Sequence, residues 1–328
     1  MTRQSSATAL GAPPLPSPRG LAWGFVGVLA FSFSVPFTRL AVQGGLPPLF
    51  VGAGRAVVAA VLAAAALALT RQRLPRARQW VRLLVVAGGV VAGFPLLTSL
   101  ALDRVPAGHS AVVIGLLPAA TAATVVLRTR ERVAARFWVA AGAGAVAVAG
   151  VTAAGSGLPQ GAGAADLLLV GAVLAAALGY AEGGLLAREL GAWQTVSWAL
   201  VLASPAMLAV TVVALLGPAT ADDRWSAVPA SAWAAFAYLA AVSMYLGFFA
   251  WYRGLALGPM AQVSQVQLLQ PVLSLVWATL LLGEHLAPAT VVGGAVVIAC
   301  ARSAVRARQA PPARPAPGRT TAEPPVAR

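Results

Sequence analysis

Two charged residues lie inside long apolar stretches of this sequence. Glu182 follows Gly179 and Tyr180 within one stretch, and Arg55 follows Gly54 within another. A charge at the centre of a bilayer costs about 2.5–3.5 kcal/mol on insertion scales, so it usually has a reason. We expect Glu182 to bind a proton or cation in a coupling role and Arg55 to hold an anionic group such as a carboxylate. The alternatives are that Glu182 pairs with an arginine or reaches water, and that Arg55 snorkels to the headgroups.

A stripe of polar side chains marks another apolar stretch. Gln267, Gln270 and Ser274 would share one face of a helix, because helical residues three or four apart are neighbours. Facing lipid they would be costly, so they should face protein or water. We expect them to line a cavity; the alternative is interhelical hydrogen bonding, worth about 0.6 kcal/mol per contact. Tyr180 and Trp277 could stack on an aromatic or cationic solute.

The composition indicates a membrane protein. The 328 residues are 59% hydrophobic and 10% charged, whereas a soluble domain is about half apolar and about a quarter charged. The net charge of +14 comes from basic residues that are all arginine and lie between the apolar stretches or in the tails. That pattern is typical of topology signals and argues against a nucleic-acid partner.

The apolar stretches predict ten transmembrane helices. They cover residues 21–39, 48–69, 81–101, 107–127, 137–154, 165–187, 195–217, 231–252, 260–282 and 287–303. Residues 1–19 and 304–328 are expected to be disordered tails. The arginines fall mostly on one side of this layout, which places both termini in the cytoplasm. The predicted fold class is therefore an all-α, multi-pass membrane protein.

The two halves of the chain repeat. Three pairs of residues recur at a constant offset of 153 positions: Pro106 and Pro259, Pro118 and Pro271, Glu131 and Glu284. With five helices in each half, the second half enters the membrane from the opposite side, which predicts an inverted-topology repeat. We interpret the glutamates as structural, since each precedes a helix start, where a carboxylate meets unpaired N–H groups.

Residues 20–154 and 165–303, the two five-helix repeats, resemble the EamA-type permeases of the drug/metabolite transporter superfamily. The family pattern of a central proline followed by Leu-Gly-Glu is intact in the second half, at Pro271 and residues 282–284, whereas Arg130 replaces the glycine in the first. The resemblance implies a secondary transporter of small solutes (a metabolite, an amino acid or a drug-like compound), usually an exporter. It also implies a central cavity lined by helices one to four and six to nine.

We therefore expect an inner-membrane exporter that works by alternating access. No nucleotide-binding loop, metal motif or cofactor motif is found in the sequence, so a proton or solute gradient would drive it and no enzymatic activity is expected. The expected partners are a small-molecule solute and the bilayer, and a homodimer is left open.

Two other classes of function stay open. The first is a non-transporting scaffold subunit of a membrane assembly. The second is a membrane-embedded lipid-modifying enzyme, which is disfavoured because His109 and His285 are far apart in sequence and no acidic motif accompanies them. His109 is instead expected to lie in interfacial water near one end of its helix.

Overall fold

The computed structural model describes residues 18–129, 135–154, 162–217, 224–257, 263, 266–286 and 288–309. This part of the chain is helical and contains no strand. The helices are α1 (Pro18–Ser32 and Ser34–Gln43), α2 (Pro48–Leu69), α3 (Ala77–Val86, Ala87–Gly93 and Phe94–Leu102), α4 (Ala107–Ile114 and Leu117–Thr129), α5 (Ala135–Ala154), α6 (Ala162–Leu190), α7 (Ala192–Leu216), α8 (Ala230–Ala237, Tyr238–Gly247 and Phe248–Leu257), α9 (Leu269–Leu282) and α10 (Pro288–Gln309). A single turn, Arg224–Ala227, precedes α8. Glu131 lies outside the described residues, as does most of both predicted tails.

Seven of the described helices are long and apolar enough to cross a membrane: α1 to α4 and α6 to α8. Three shorter apolar segments, Ala135–Ala147, Leu269–Leu282 and Thr290–Ser303, belong to α5, α9 and α10. The last helix runs to Gln309, past its predicted end at residue 303. Alanine and arginine, which dominate this extension, are strong helix formers, so composition alone did not mark the boundary correctly.

Several helices change their geometry midway. The α-helical path of α1 is interrupted at Phe33, that of α4 at residues 115–116, and a turn at residues 267–268 precedes α9. Each break lies two or three residues before a proline (Pro36, Pro118 and Pro271), whose ring and missing N–H disfavour a continuous helix. Pro205, by contrast, lies inside an uninterrupted α7.

Two π-helical segments occupy matching positions in the two halves. Residues Ala87–Gly93 form one in α3, and residues Tyr238–Gly247 form the other in α8. π-Helical turns are rare and often lie at functional sites, because the extra residue per turn redirects side chains. Both segments border the central cavity described below.

The packing pairs helices across the two halves. α2 packs on α7 and α5 on α10, while α1 packs on α8 and α3 on α6. Exchanging each helix for its counterpart five positions along the chain leaves this set of pairs unchanged. The two halves are therefore interleaved, and the molecular centre is built from both.

Glycines allow the closest of these crossings. A Cβ added to Gly254 of α8 would lie 2.7 Å from the backbone N of Gly24 in α1, and one added to Gly89 of α3 would lie 2.4 Å from the carbonyl O of Ala175 in α6. Side chains at these positions would push the helices apart, so small residues set the spacing around the centre.

Candidate functional site

A cavity lies between the two halves at the level of both π-helical segments. We call it the central cavity. Its wall comprises Phe31, Ser34, Arg55, Val90, Phe94, Pro95, Ala176, Tyr180, Ser243, Met244, Phe248 and Gln270. These residues come from α1, α2, α3, α6, α8 and the start of α9. The volume that the centre of a water molecule can reach is about 20 Å³, which is room for only one or two water molecules. The described conformation is therefore closed around the cavity.

Arg55 is the only charged group in this wall. Its position on α2 places the guanidinium inside the bundle, and the residue is 2% exposed. One N–H of the guanidinium points to Thr38 Oγ1 at 3.5 Å, a weak contact, and Nε has no partner. No carboxylate of the described residues forms an ion pair with it. Arg55 does not snorkel, and its charge faces a cavity in which no described residue acts as a counter-ion.

Aromatic rings form another part of the central cavity wall. Phe31 stacks with Tyr180 at a centroid distance of 6.3 Å and packs against Phe248 at 4.8 Å. Beside the rings, the hydroxyls of Ser34 and Ser243 share a hydrogen bond of 2.7 Å, which joins α1 to the π-helical segment of α8. The wall thus combines one cation, an apolar aromatic surface and a pair of hydroxyls.

A second cavity adjoins the first at Gln270. It is lined by Val35, Ala111, Ile114, Leu117, Pro118, Gln267, Gln270, Pro271 and Ser274. The predicted polar stripe (Gln267, Gln270 and Ser274) is thus buried and gathered in one place, beside the two repeat prolines. Both amide atoms of Gln267 and the Oε1 atom of Gln270 have no hydrogen-bond partner among the described residues.

The rest of the polar face of α9 is tied to α1. Ser274 Oγ donates a hydrogen bond of 2.8 Å to the carbonyl O of Ser32, and Trp277 Nε1 donates one of 3.0 Å to Ser32 Oγ. The Trp277 ring also stacks on Phe33 at 4.4 Å. Trp277 does not line either cavity. It satisfies the polar groups at the break in α1, which is an interhelical role.

Glu182 lies outside both cavities, in an ion-pair network called here the Glu182 cluster (Arg82, Arg128, Glu182 and Glu189). Arg82 Nε donates to one carboxylate oxygen of Glu182, and Arg128 Nε donates to the other at 3.2 Å. Arg82 also bonds Glu189. Tyr180 is two residues away on α6 and faces the central cavity, so Glu182 points elsewhere. This geometry favours the predicted alternative, pairing with arginine, over a free coupling acid.

A second polar group, the Glu284 cluster (Arg39, His109, Asp166 and Glu284), lies at the other end of α4. The carboxylate of Glu284 accepts hydrogen bonds of 2.8 Å from the backbone N–H groups of Ala107 and Gly108. It therefore caps α4 of the first half. The carboxylate thus meets the unpaired N–H groups of a helix start, as predicted for a structural role, but the helix is α4 of the other half; the left-handed Gly283 (φ +64°) ends α9 just before it.

His109 is buried, with 6% of its surface exposed, and its Nε2 lies 2.6 Å from Asp166 Oδ1. The expectation that it lies in interfacial water is wrong, because Asp166 at the start of α6 covers it. Arg39 donates to the carbonyl O of Leu102 at the same end. Since α4 rises about 1.5 Å per residue from Ala107 to Arg128, the two clusters lie about 30 Å apart.

Comparison with known proteins identifies the family. A family model described as the EamA-like transporter family matches residues 18–153 and again residues 163–302. The chain belongs to the EamA-like transporter family. This EamA-like transporter is thus a multi-pass membrane protein built from two repeats of one unit.

Relatives with names agree with that assignment. The transporter is 46% identical to the "Uncharacterized transporter YdeK" of Bacillus subtilis, over 86% of this chain and 96% of the relative. It is 29% identical to the "Probable terminal-alkyne amino-acid exporter" of Streptantibioticus cattleyicolor, over 84% of this chain and 90% of the relative. One solved crystal structure, described only as that of a protein, has the same fold, with a TM-score of 0.62 and 18% identity over 88% of this chain and 98% of that chain.

Some of the cavity wall of this EamA-like transporter could not be identified from sequence. Ser34 and Ser243 are common residues in apolar stretches, and only the fold brings them into contact across 209 positions. The π-helical segment of α8 contains no proline that would indicate a change of helix geometry. A signal was available for α3, where Pro95 lies two residues after the end of the π-helical segment at Gly93.

Proposed function

We propose that this protein is a secondary-active transporter that moves a small organic solute through the central cavity by alternating access. In this proposal all ten helices cross the membrane and the second five-helix repeat is inverted relative to the first. Both repeats contribute to the cavity wall, so rocking one half against the other would open the cavity to one side at a time. The paired contacts of α1 with α8 and α3 with α6 support such a two-fold arrangement.

Arg55 carries the proposal. A guanidinium that is buried, faces a cavity and has no carboxylate beside it leaves donors unsatisfied, which costs free energy. A bound carboxylate would satisfy those donors in a bidentate fashion. The same polar wall makes a purely structural scaffold subunit a poor alternative, because a scaffold has no use for unpaired buried polar groups. No cluster of possible metal ligands occurs among the described residues either, which gives no support to the enzyme alternative.

We further propose export from the cytoplasm across the inner membrane, driven by a proton or solute gradient. The relative named as an amino-acid exporter supports this direction. The arginine distribution of the sequence supports cytoplasmic termini. Glu182 was the predicted coupling acid. Its two arginine partners make it a weaker candidate than the sequence suggested, and a separate test of that role is given in the Discussion.

The transport proposal is tested by comparing metabolites in the medium of three strains: a deletion strain, a strain overexpressing the wild-type protein, and one overexpressing Arg55→Gln at equal membrane abundance. We expect at least one small organic acid to accumulate outside the wild-type overexpressor and to return to the deletion level with Arg55→Gln. Identical media from all three strains would contradict transport through this cavity.

Topology is tested with impermeant thiol labelling. The chain has a single cysteine, Cys300, so a Cys300→Ser background can carry one new cysteine at a time. Cysteines placed at Arg76 and Arg104 should label from opposite sides of the membrane. Labelling of both positions from the same side would contradict the proposed threading of α3.

A further inference from the structure

The central cavity and the second cavity share Gln270 in their walls, so we treat them as one site. The site contains the Arg55 guanidinium, the aromatic surface of Phe31, Tyr180 and Phe248, and the amides of Gln270 and Gln267. These two glutamines lie one helical turn apart, with the backbone N–H of Gln270 bonded to the carbonyl O of Gln267. A bound solute would meet a cation, an apolar surface and neutral hydrogen-bonding groups in this site.

None of the acidic residues that the structure describes lines either cavity. The sequence has nine. Of the five that the structure describes, none lines either cavity: Asp103 is exposed, Asp166 contacts His109, Glu182 and Glu189 contact Arg82, and Glu284 caps α4. Residues 258–262 and 264–265, which precede the second cavity in sequence, include no acid. The charge of Arg55 is therefore uncompensated by the cavity walls.

The side-chain amides of Gln267 and Gln270 require a bound partner that can donate a hydrogen bond. Gln270 Oε1 and Gln267 Oε1 are buried acceptors without donors among the described residues, and Gln267 Nε2 is a buried donor without an acceptor. Leaving such groups unpaired is costly. A hydroxyl group both donates and accepts, so it can satisfy an amide without adding charge.

We infer that the cargo is a small organic acid of net charge −1 with an apolar body and one uncharged hydrogen-bonding group, such as a 2-hydroxy acid, and that zwitterionic amino acids are disfavoured. A monoanion neutralises Arg55. A zwitterion brings its own ammonium and leaves the occupied site with a net charge of +1 in a low-dielectric interior. A cation would be disfavoured further. This inference rests on the proposed function and narrows its substrate class.

Three matched probes test the inference on the purified full-length protein. 3-Phenyllactate has a carboxylate and a hydroxyl, 3-phenylpropionate lacks the hydroxyl, and L-phenylalanine replaces it with an ammonium group. Dissociation constants from calorimetry should place phenyllactate at least about tenfold tighter than either of the others, which corresponds to about 1.4 kcal/mol. Arg55→Gln should abolish this binding. Gln270→Leu should remove the preference for phenyllactate over phenylpropionate and leave binding of the carboxylate.

The outcomes separate the two levels of the proposal. Equal or tighter binding of L-phenylalanine, or a phenyllactate affinity that Arg55→Gln leaves unchanged, overturns the inference. Binding of none of the three probes also overturns it. In either case the transport proposal stands or falls on the strain comparison, which assumes nothing about the cargo's second polar group. Size-exclusion profiles of both variants establish that they are folded.

Arg55→Lys, which keeps the charge but not the fork geometry, should bind phenyllactate more weakly than the wild type and more tightly than Arg55→Gln.

Discussion

Arg55 and Glu182 are two buried charges that look alike in sequence and differ in their surroundings. Arg55 is 2% exposed and faces a cavity without a carboxylate, whereas Glu182 is 5% exposed and is held by Arg82 and Arg128. An ionised group inside a bundle needs compensation from somewhere. For Glu182 the protein supplies it, whereas no carboxylate of the described residues supplies it for Arg55, and in our proposal a bound solute does. Burial of a charge therefore does not by itself indicate function, and the unpaired member of the two is the better guide to the site.

The structures around these two residues differ in the same way. Arg55 shares its cavity with residues of both π-helical segments and with Gln270, whose Oε1 atom has no partner among the described residues; these are costly features. The charged groups of the Glu182 cluster and the Glu284 cluster, by contrast, form hydrogen bonds with protein groups. The Glu182 cluster connects α4 to α3 and α6 at one end of the bundle, and the Glu284 cluster connects α4 to α6 and the end of α9 at the other. Substitutions in the two kinds of region should therefore separate transport from stability.

Replacing Arg55 should have the largest effect, and it should fall on transport. Arg55→Gln removes the anchor for an anionic solute, and truncating one partner of a buried charge pair costs about 2–5 kcal/mol of binding. We expect transport to fall roughly 100-fold, with thermal stability unchanged or raised because an uncompensated charge is gone. Transport and melting temperature should be measured together. The matched control is Arg104→Gln, an exposed arginine at one helix end, which should change neither; normal transport by Arg55→Gln would end the contrast with Glu182.

Replacing Glu182 should affect stability first. Glu182→Gln removes the carboxylate that binds Arg82 and Arg128, but Arg82 keeps Glu189 and the Arg128 side chain is more than half exposed. We therefore expect a loss of about 1–3 kcal/mol in the free energy of unfolding, while transport per folded molecule and its dependence on pH stay close to those of the wild type. Chemical denaturation and uptake into everted vesicles at several pH values measure the two quantities.

The double variant Arg82→Gln/Glu182→Gln provides the control, because it removes both charges of one pair. It should be more stable than Glu182→Gln alone. A Glu182→Gln protein of normal stability that has lost pH-dependent transport would instead restore the coupling role predicted from sequence.

Replacing Glu284 should have a moderate effect confined to α4. Glu284→Gln keeps one acceptor for the N–H groups of Ala107 and Gly108 but loses the charge that favours a helix start. Loss of helix capping typically costs about 1 kcal/mol. We expect that drop in the free energy of unfolding, against less than about 0.5 kcal/mol for Glu189→Gln, whose carboxylate is half exposed. Equal losses from the two variants would show that the Glu284 cluster is no more structural than a surface ion pair.

The sequence predicted the helical class, the EamA-type repeat and the burial of Gln267, Gln270 and Ser274, because hydropathy and period are local properties of the chain. It could not predict which charge is compensated. The partner of Glu182 lies 100 positions away, and the helix capped by Glu284 begins 177 positions before it. Such contacts follow from how the helices of the two halves cross. The glycines at those crossings were visible in the sequence, but small residues occur in every helical bundle.

Replacing His109 should have the smallest effect, although its contact with Asp166 is short. His109→Gln can still donate a hydrogen bond to Asp166 Oδ1 from its amide N–H, so the contact with the carboxylate is kept and only the packing of the imidazole ring is lost. We expect a loss of about 0.5–1 kcal/mol in the free energy of unfolding, no change in transport, and no change in its dependence on pH. His109→Leu, which cannot donate, should be less stable than His109→Gln and should transport normally once folded. If His109→Gln loses pH-dependent transport while Glu182→Gln keeps it, proton coupling belongs to the Glu284 cluster. Only the Glu182 cluster would then have a purely structural role, in contrast to Arg55 in the central cavity.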